Sequence, residues 1–160
     1  MASIDAQGTE LFLATDGTTS AKFDCPTAIT GMGYTTAEIN EDCLDSPFAT
    51  TRPGRKTLSP FTVPFITQEG SGIHEWLLNS ANVPSALIPY AVALANGVDD
   101  PVFATGAYSA PGTAPNYTRT VAVGDGYIGN LTIDVNNGDV VRGSFTFSPQ
   151  TIAWQFLNPA

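Results

Sequence analysis

The chain has 160 residues and a formal net charge of -9, with 13% charged residues against 42% hydrophobic ones. That length fits one domain with its own apolar core, and the hydrophobic content excludes a disordered chain, which combines low hydrophobicity with high charge. A pI near 4.1 also disfavours a general nucleic-acid binder, because affinity for phosphates comes largely from neutralising them with Lys and Arg.

The opening residues, MASIDAQGTE, hold neither a basic region nor an apolar run, so no secretory signal is expected. No later segment approaches the roughly 18 apolar residues of a membrane-spanning helix. Apolar and β-branched runs then recur along the chain: ELFLAT (10–15), TAITGMGYTTAEI (27–39), SPFTVPFI (59–66), ALIPYAVALA (86–95), TRTVAV (118–123), YIGNLTIDV (127–135) and VVRGSFTF (140–147). Fifteen glycines and twelve prolines punctuate them, as short strands joined by turns require. An all-β sandwich or barrel of seven or eight strands is predicted. Cys25 and Cys43 are read as free thiols in a reducing compartment, with a disulfide as the alternative. The Asn-x-Thr triplets at Asn116 and Asn130 are read as chance matches to a glycosylation acceptor.

One helix interrupts the strands. In GSGIHEWLLNSANVP, Ser71 is the expected N-cap, its hydroxyl accepting a backbone N–H. Ile73, Trp76, Leu77 and Ala81 share one face, and Pro84 forbids continuation, so the helix should lie against the sheets with Trp76 buried. The closing hairpin around DVNNGDVV sets apolar Leu131, Ile133 and Val135 against Val141, Phe145 and Phe147. Facing residues share a side, so two registers are admissible: Ile133 opposite Val141, or Val135 opposite Val141 with Asp134 opposite Arg142. Either gives one apolar and one hydroxyl-rich face.

Catalytic equipment is sparse. His74 is the only histidine and reads as structural or exposed. No nucleophile elbow, phosphate loop or His/Cys cluster at metal spacing is present, so no enzyme activity and no cofactor are expected. Glu41, Asp42 and Asp45, and likewise Asp134, Asn136 and Asp139, read as solvated acidic faces with calcium binding as the alternative. Arg52, Arg55 and Lys56, half of the six basic residues, flank a Pro53-Gly54 turn. They admit a nucleic-acid patch, a solvated loop, or a contact with the acidic surface of another copy.

In order, CPTAITGMGYTTAEINEDCLD, the loop SPFATTRPGRKTLS, the strand PFTVPFI, the helix SGIHEWLLNSA and the hairpin DGYIGNLTIDVNNGDVVRGSFTFSP resemble the tail tube (major tail) proteins of long-tailed bacteriophages over residues 10–157. The resemblance implies a single domain over 1–160, with an N-terminal arm (1–9), a long inter-ring loop (45–58) and a flanking helix (70–82). It implies six-membered rings with a continuous inner β-barrel, stacked into a tube that conducts DNA in transit without binding it specifically. Implied partners are further copies of the chain and the tape measure, tail terminator and distal tail proteins; the implied location is the virion tail, assembled in the host cytoplasm, with no membrane. Arg52, Pro53, Gly54, Arg55 and Lys56 would then form the inter-ring contact. Candidate lumen residues are Thr35, Thr36, Glu38 and Asn40 on the early strand and Thr132, Asp134, Ser144 and Thr146 on the last hairpin. Residues 103–120 exceed a simple strand connection and read as an outer decoration or an extended hairpin. Alternatives are a tail terminator or secretion-tube ring protein, and a carbohydrate-binding β-sandwich displaying Tyr90, Tyr108, Tyr117 and Tyr127.

Overall fold

A computed structural model describes residues 3–41, 48–80 and 86–158. The principal sheet comprises β1 (Glu10–Leu13), β2 (Ala21–Lys22), β5 (Phe61–Ile66), β6 (Ile88–Ala93), β11 (Val121–Asp134), β12 (Arg142–Pro149) and β13 (Ala153–Gln155). Its order is β2-β1-β6-β11-β12-β5, all antiparallel, with β13 also on β11. β11 is shared between two halves: Val121–Gly126 pairs with β6 and Gly126–Asp134 pairs with β12, with an irregularity between Ile128 and Leu131. The sheet curls into a half-barrel. The all-β expectation with one short helix holds; the covering layer is that helix and a set of small hairpins, with no second large sheet among the described residues.

Alternation of side chains sorts the strands into two cores. On one face Leu11, Leu13, Tyr90, Val92, Phe61, Val63, Phe65, Phe145 and Phe147 pack with Phe23 and with Ile73 and Leu77 of α1 (Gly72–Asn79). On the other, Phe12, Ala14, Ala91, Ala93, Val121 and Val123 meet Tyr108 and Ala110. The second face is rich in alanine, so its cover lies close. That cover is residues 102–117, folded as two hairpins: β7 (Val102–Ala104) with β8 (Ala107–Ser109), and β9 (Gly112–Thr113) with β10 (Asn116–Tyr117). The long connection is therefore neither a decoration on a finished domain nor one extended hairpin, because it closes the second core.

α1 spans eight residues within the expected segment 70–82. Ile73 and Leu77 are buried, and Trp76 is half-buried against the core. Ala81 and Pro84 lie outside the described residues. Ser71 occupies the N-cap position but makes no cap bond; its hydroxyl donates instead to Asp24 Oδ2 at 2.6 Å. His74 is buried between Phe23 and Phe65. The Gln68 N–H can only donate, so Nδ1 is the bare nitrogen (3.1 Å) and Nε2–H donates to the Asp24 carbonyl (2.8 Å). Both ring nitrogens are thus occupied structurally. Cys25 is a free thiol; Cys43 lies outside the described residues.

Glu10, Asp16 and Tyr90, together with Asp139 (lowered) and Tyr108 (raised), shape the pH range of stability. Burial acts to raise the Glu10 pKa, but hydrogen bonds from Lys22 and Arg119 outweigh it and hold the carboxyl below its ordinary 4.5. Asp16 accepts the backbone N–H groups of Thr18 and Thr19, which lower it from 3.8 to about 2. Burial, then the Asp125 charge, pushes Tyr90 from 10.0 to about 12. The carboxylates bind protons less readily folded than unfolded, so their contribution is complete above pH 4.5 and is lost as pH falls toward 2. Tyr90 gives up its proton less readily when folded, so its contribution is complete below pH 10.0 and is lost as pH rises to about 12. Urea midpoints should therefore stay level between about pH 5 and about pH 9 and fall on both sides. Asp16→Asn should make the acid limb shallower and Tyr90→Phe the alkaline limb. Limbs identical to those of the unmodified protein would contradict these assignments.

Candidate assembly surfaces

The longest pairing outside the principal sheet is a two-stranded ribbon, β3 (Gly33–Glu41) with β4 (Thr50–Ser59). Every residue of β3 is exposed, and the ribbon touches the body chiefly where β4 meets β12. β-branched Thr and Ile and aromatic Tyr residues favour the extended backbone. The segment expected as a loop over 45–58 is thus strand from Thr50 onward, while residues 45–47 lie outside the described residues. Pro53-Gly54 is no turn. Thr36 pairs with Lys56 and Glu38 with Pro53, so Gly54 and Arg55 together oppose the single residue Ala37, and the turn propensity of Pro-Gly is spent on a β-bulge. A side chain at Gly54 would crowd the Ala37 carbonyl and Ile39, each 3.1 Å from its Cβ position.

That extra residue separates the three cations. Lys56 lies opposite Thr36 and rests its ammonium 4.8 Å from the Tyr34 ring centroid. Arg52 lies opposite Ile39 on the other side of the ribbon and bonds Glu41 Oε1 at 2.9 Å. Without the bulge, positions 52 and 56 would share a side. Arg55, within the bulge, has no acidic partner among the described residues. The basic cluster of the sequence is therefore a two-sided arm with one uncommitted charge.

A second surface lies on the half of the sheet formed by β5, β12 and the end of β11. One face carries Phe61, Val63, Phe65, Phe145 and Phe147 into the core; the other has no cover among the described residues. Across it run the register pairs Thr62 with Thr146, Ser144 with Thr132, and Arg142 with Asp134. The structure thus selects the register with Asp134 opposite Arg142. Thr132, Asp134 and Ser144 come together here, whereas Glu38 and Asn40 sit on the ribbon. Arg142 turns from Asp134 to bond Asp139 Oδ2 at 3.4 Å. Beyond the core the hairpin continues with Ile133, Val135, Val140 and Val141 all exposed. An open groove of about 750 Å³ between residues 4–9 and 26–32, walled by Ile4, Ile29, Met32, Val92 and Leu94, is a further uncovered apolar surface.

The model of the lambda-like phage tail tube family matches residues 2–153 of this chain. The chain belongs to that family. Solved structures similar to this tail tube chain include a chain of the anti-feeding prophage baseplate (TM-score 0.71, 8% identity, covering 99% of this chain and 98% of that one). A second is from the sheath/tube terminator of an extracellular contractile injection system (0.67, 12%, 97% and 98%), and a third is the SPP1 tail tube (0.65, 10%, 98% and 81%). At such identities the likeness is one of fold. No curated protein sequence matches the chain. The family makes this a structural component of a phage tail. Among the described residues no group of three or more His, Cys, Asp or Glu side chains is placed to hold a metal ion, and no helix is long and apolar enough to cross a membrane.

The residue that sequence reading missed in this tail tube protein is Arg119. It is 1% exposed. Its Nε donates to the Leu94 carbonyl (2.6 Å), Nη1 to Glu10 Oε2 (2.8 Å) and the Asp99 carbonyl (3.2 Å), and Nη2 to the Gly8 carbonyl (3.0 Å). Lys22 bonds the other Glu10 oxygen. Beside it, Asn96 and Thr120 clasp each other through two hydrogen bonds. This knot anchors the N-terminal arm and the 94–100 loop to the start of β11. Its only sequence signal is a lone arginine inside an otherwise apolar and hydroxylic strand entry.

Proposed function

We propose that the chain is the repeating subunit of a long-tailed phage tail tube: it closes into six-membered rings, and the rings stack into a channel that conducts DNA into the host without enzymatic action. The observation that carries this reading is the β3–β4 ribbon. A two-stranded ribbon exposed on both faces has marginal stability by itself, and its unpaired strand edges invite association, so its natural complement is another copy. The uncovered hydroxyl-rich face of β5, β12 and β11 supports a channel wall. Its hydroxyls and its carboxylate offer a passing polyanion no positive charge, and its one cation, Arg142, is paired. Tape measure, tail terminator and distal tail proteins are the further partners in this reading, and assembly takes place in the host cytoplasm. A carbohydrate-binding module is disfavoured because Tyr90 and Tyr108, two of its four candidate aromatics, are buried.

Ring stacking through the arm predicts that Arg52→Glu, Arg55→Glu and Lys56→Glu together leave a folded monomer that forms no tubes under negative-stain microscopy. Arg55→Glu alone should account for most of the loss, because Arg52 and Lys56 are already engaged within the ribbon. Normal tubes from the triple variant would exclude the arm as the inter-ring contact. Rings and tubes absent from the unmodified protein at high concentration would count against the tube subunit itself.

A further inference from the structure

The sequence contains two Asn-Gly pairs, Asn96-Gly97 and Asn137-Gly138, and the fold treats them in opposite ways. Asn96 is half-buried; its amide donates to Thr120 Oγ1 at 2.7 Å, and its oxygen accepts the Thr120 N–H at 3.0 Å. The following glycine is walled in: a Cβ there would sit 2.6 Å from the Thr118 carbonyl and 2.8 Å from Arg119 Cβ. Asn137 lies exposed in the turn between β11 and β12, and its side chain has no hydrogen-bond partner among the described residues. Gly138 has φ +82 and nothing within 4 Å of its Cβ position. The backbone bond that closes the turn, from the Asp139 N–H to the Asn136 carbonyl at 3.3 Å, involves neither the Asn137 amide nor the Gly138 nitrogen.

We propose that Asn137 is a site of spontaneous deamidation and that Asn96 is protected from the same reaction by its clasp with Thr120. The Gly138 backbone nitrogen loses its proton to solvent base and attacks the Asn137 side-chain carbonyl carbon. A new C–N bond forms, the bond to the side-chain nitrogen breaks, and that nitrogen leaves as ammonia with a proton returned from solvent. The product is a five-membered succinimide. Water then adds to one of its two carbonyls, giving aspartate if the side-chain bond opens and isoaspartate if the backbone bond opens. Glycine permits this because no Cβ obstructs the approach and the backbone turns freely. An amide locked by two hydrogen bonds cannot present its carbon to the next nitrogen without breaking both. Deamidation makes the chain one charge more negative and sets a third carboxylate beside Asp134 and Asp139. The isoaspartate product also lengthens the backbone of the turn that fixes the β11–β12 register.

Trypsin separates the two sites, because Asn96 falls in the peptide ending at Arg119 and Asn137 in the next, ending at Arg142. The full-length native protein would be held at mildly alkaline pH for days, digested briefly under acidic conditions with an acid-tolerant preparation of the protease, and analysed by fragmentation mass spectrometry. The mass gain of NH2 replaced by OH should accumulate at Asn137, more than tenfold faster than at Asn96. In concentrated urea the two rates should converge, since the dipeptides are the same and only the fold distinguishes them. An unmodified Asn137, equal native rates at both sites, or an Asn96 that stays inert in urea would each overturn the proposal.

Discussion

Replacing Arg119 by alanine should lower the free energy of unfolding by about 3–5 kcal/mol, the scale expected when one partner of a buried ion pair is removed. Arg119 is 1% exposed, and its fork serves one carboxylate oxygen and four carbonyls at once, the Ala93 carbonyl at 3.5 Å included. Without it the Leu94 and Gly8 carbonyls lose their side-chain donor, and Glu10 keeps only Lys22. Arg119→Lys should recover less than half of the loss, because an ammonium is a point donor and cannot reach such divergent acceptors. Urea unfolding measures both variants. A double variant with Glu10→Gln should lose less than the sum of the single variants, since either substitution alone already breaks the Arg119–Glu10 pair. An Arg119→Ala protein within 1 kcal/mol of the unmodified one, about the cost of an average substitution, would show that the knot is not an anchor.

Placing lysine on the uncovered sheet face should have its largest effect on the passage of DNA. Asp134→Lys with Ser144→Lys leaves the core side of β11 and β12 untouched, so the subunit should fold and assemble. In the proposed tube every subunit would then offer two cations to the genome. Each phosphate contact on duplex DNA contributes a slope of about -0.9 in log affinity against log salt, so two contacts weaken about 12-fold for a fourfold rise in salt. Genome release from variant particles should be slowed at least tenfold at low salt and recover as salt rises. Release at the normal rate at every salt concentration would remove this face from the channel wall.

Much of this fold is legible in the sequence. The run from Leu11 to Ala14 contains no polar residue, and a strand apolar on both sides must be covered on both, as β1 is. The strict alternation after Arg142 likewise marks a strand covered on one side. Matching apolar sets across DVNNGDVV leaves two registers, and the observed one sets Asp134 against Arg142. Three features escape. The alanine-rich second core depends on residues 102–117 returning over β6 and β11, which no local pattern encodes. Arg119 is silent because Glu10 and Gly8 lie 109 and 111 residues away along the chain. The basic cluster misleads because Pro53-Gly54 signals a turn, while the pairing of β3 with β4 absorbs the same residues as a bulge. Ser71 occupies the predicted N-cap position, but its hydroxyl donates to the Asp24 carboxylate and accepts no backbone N–H.

The bulge at Gly54 and Arg55 gives the arm a property of parity. In a strand, inside and outside are set by odd and even count from any fixed point. One supernumerary residue inverts that count for everything on β4 beyond it. The ribbon therefore presents different chemistry to its two sides, an arginine bonded to glutamate on one and a lysine over tyrosine on the other, although its sequence reads as one basic stripe. Loss of a single residue there would conserve composition and charge almost entirely, yet exchange the two sides along the outer part of the strand. In the proposed tube, where neighbours above and beside a subunit would differ, frame would matter more in this segment than the identity of any one side chain.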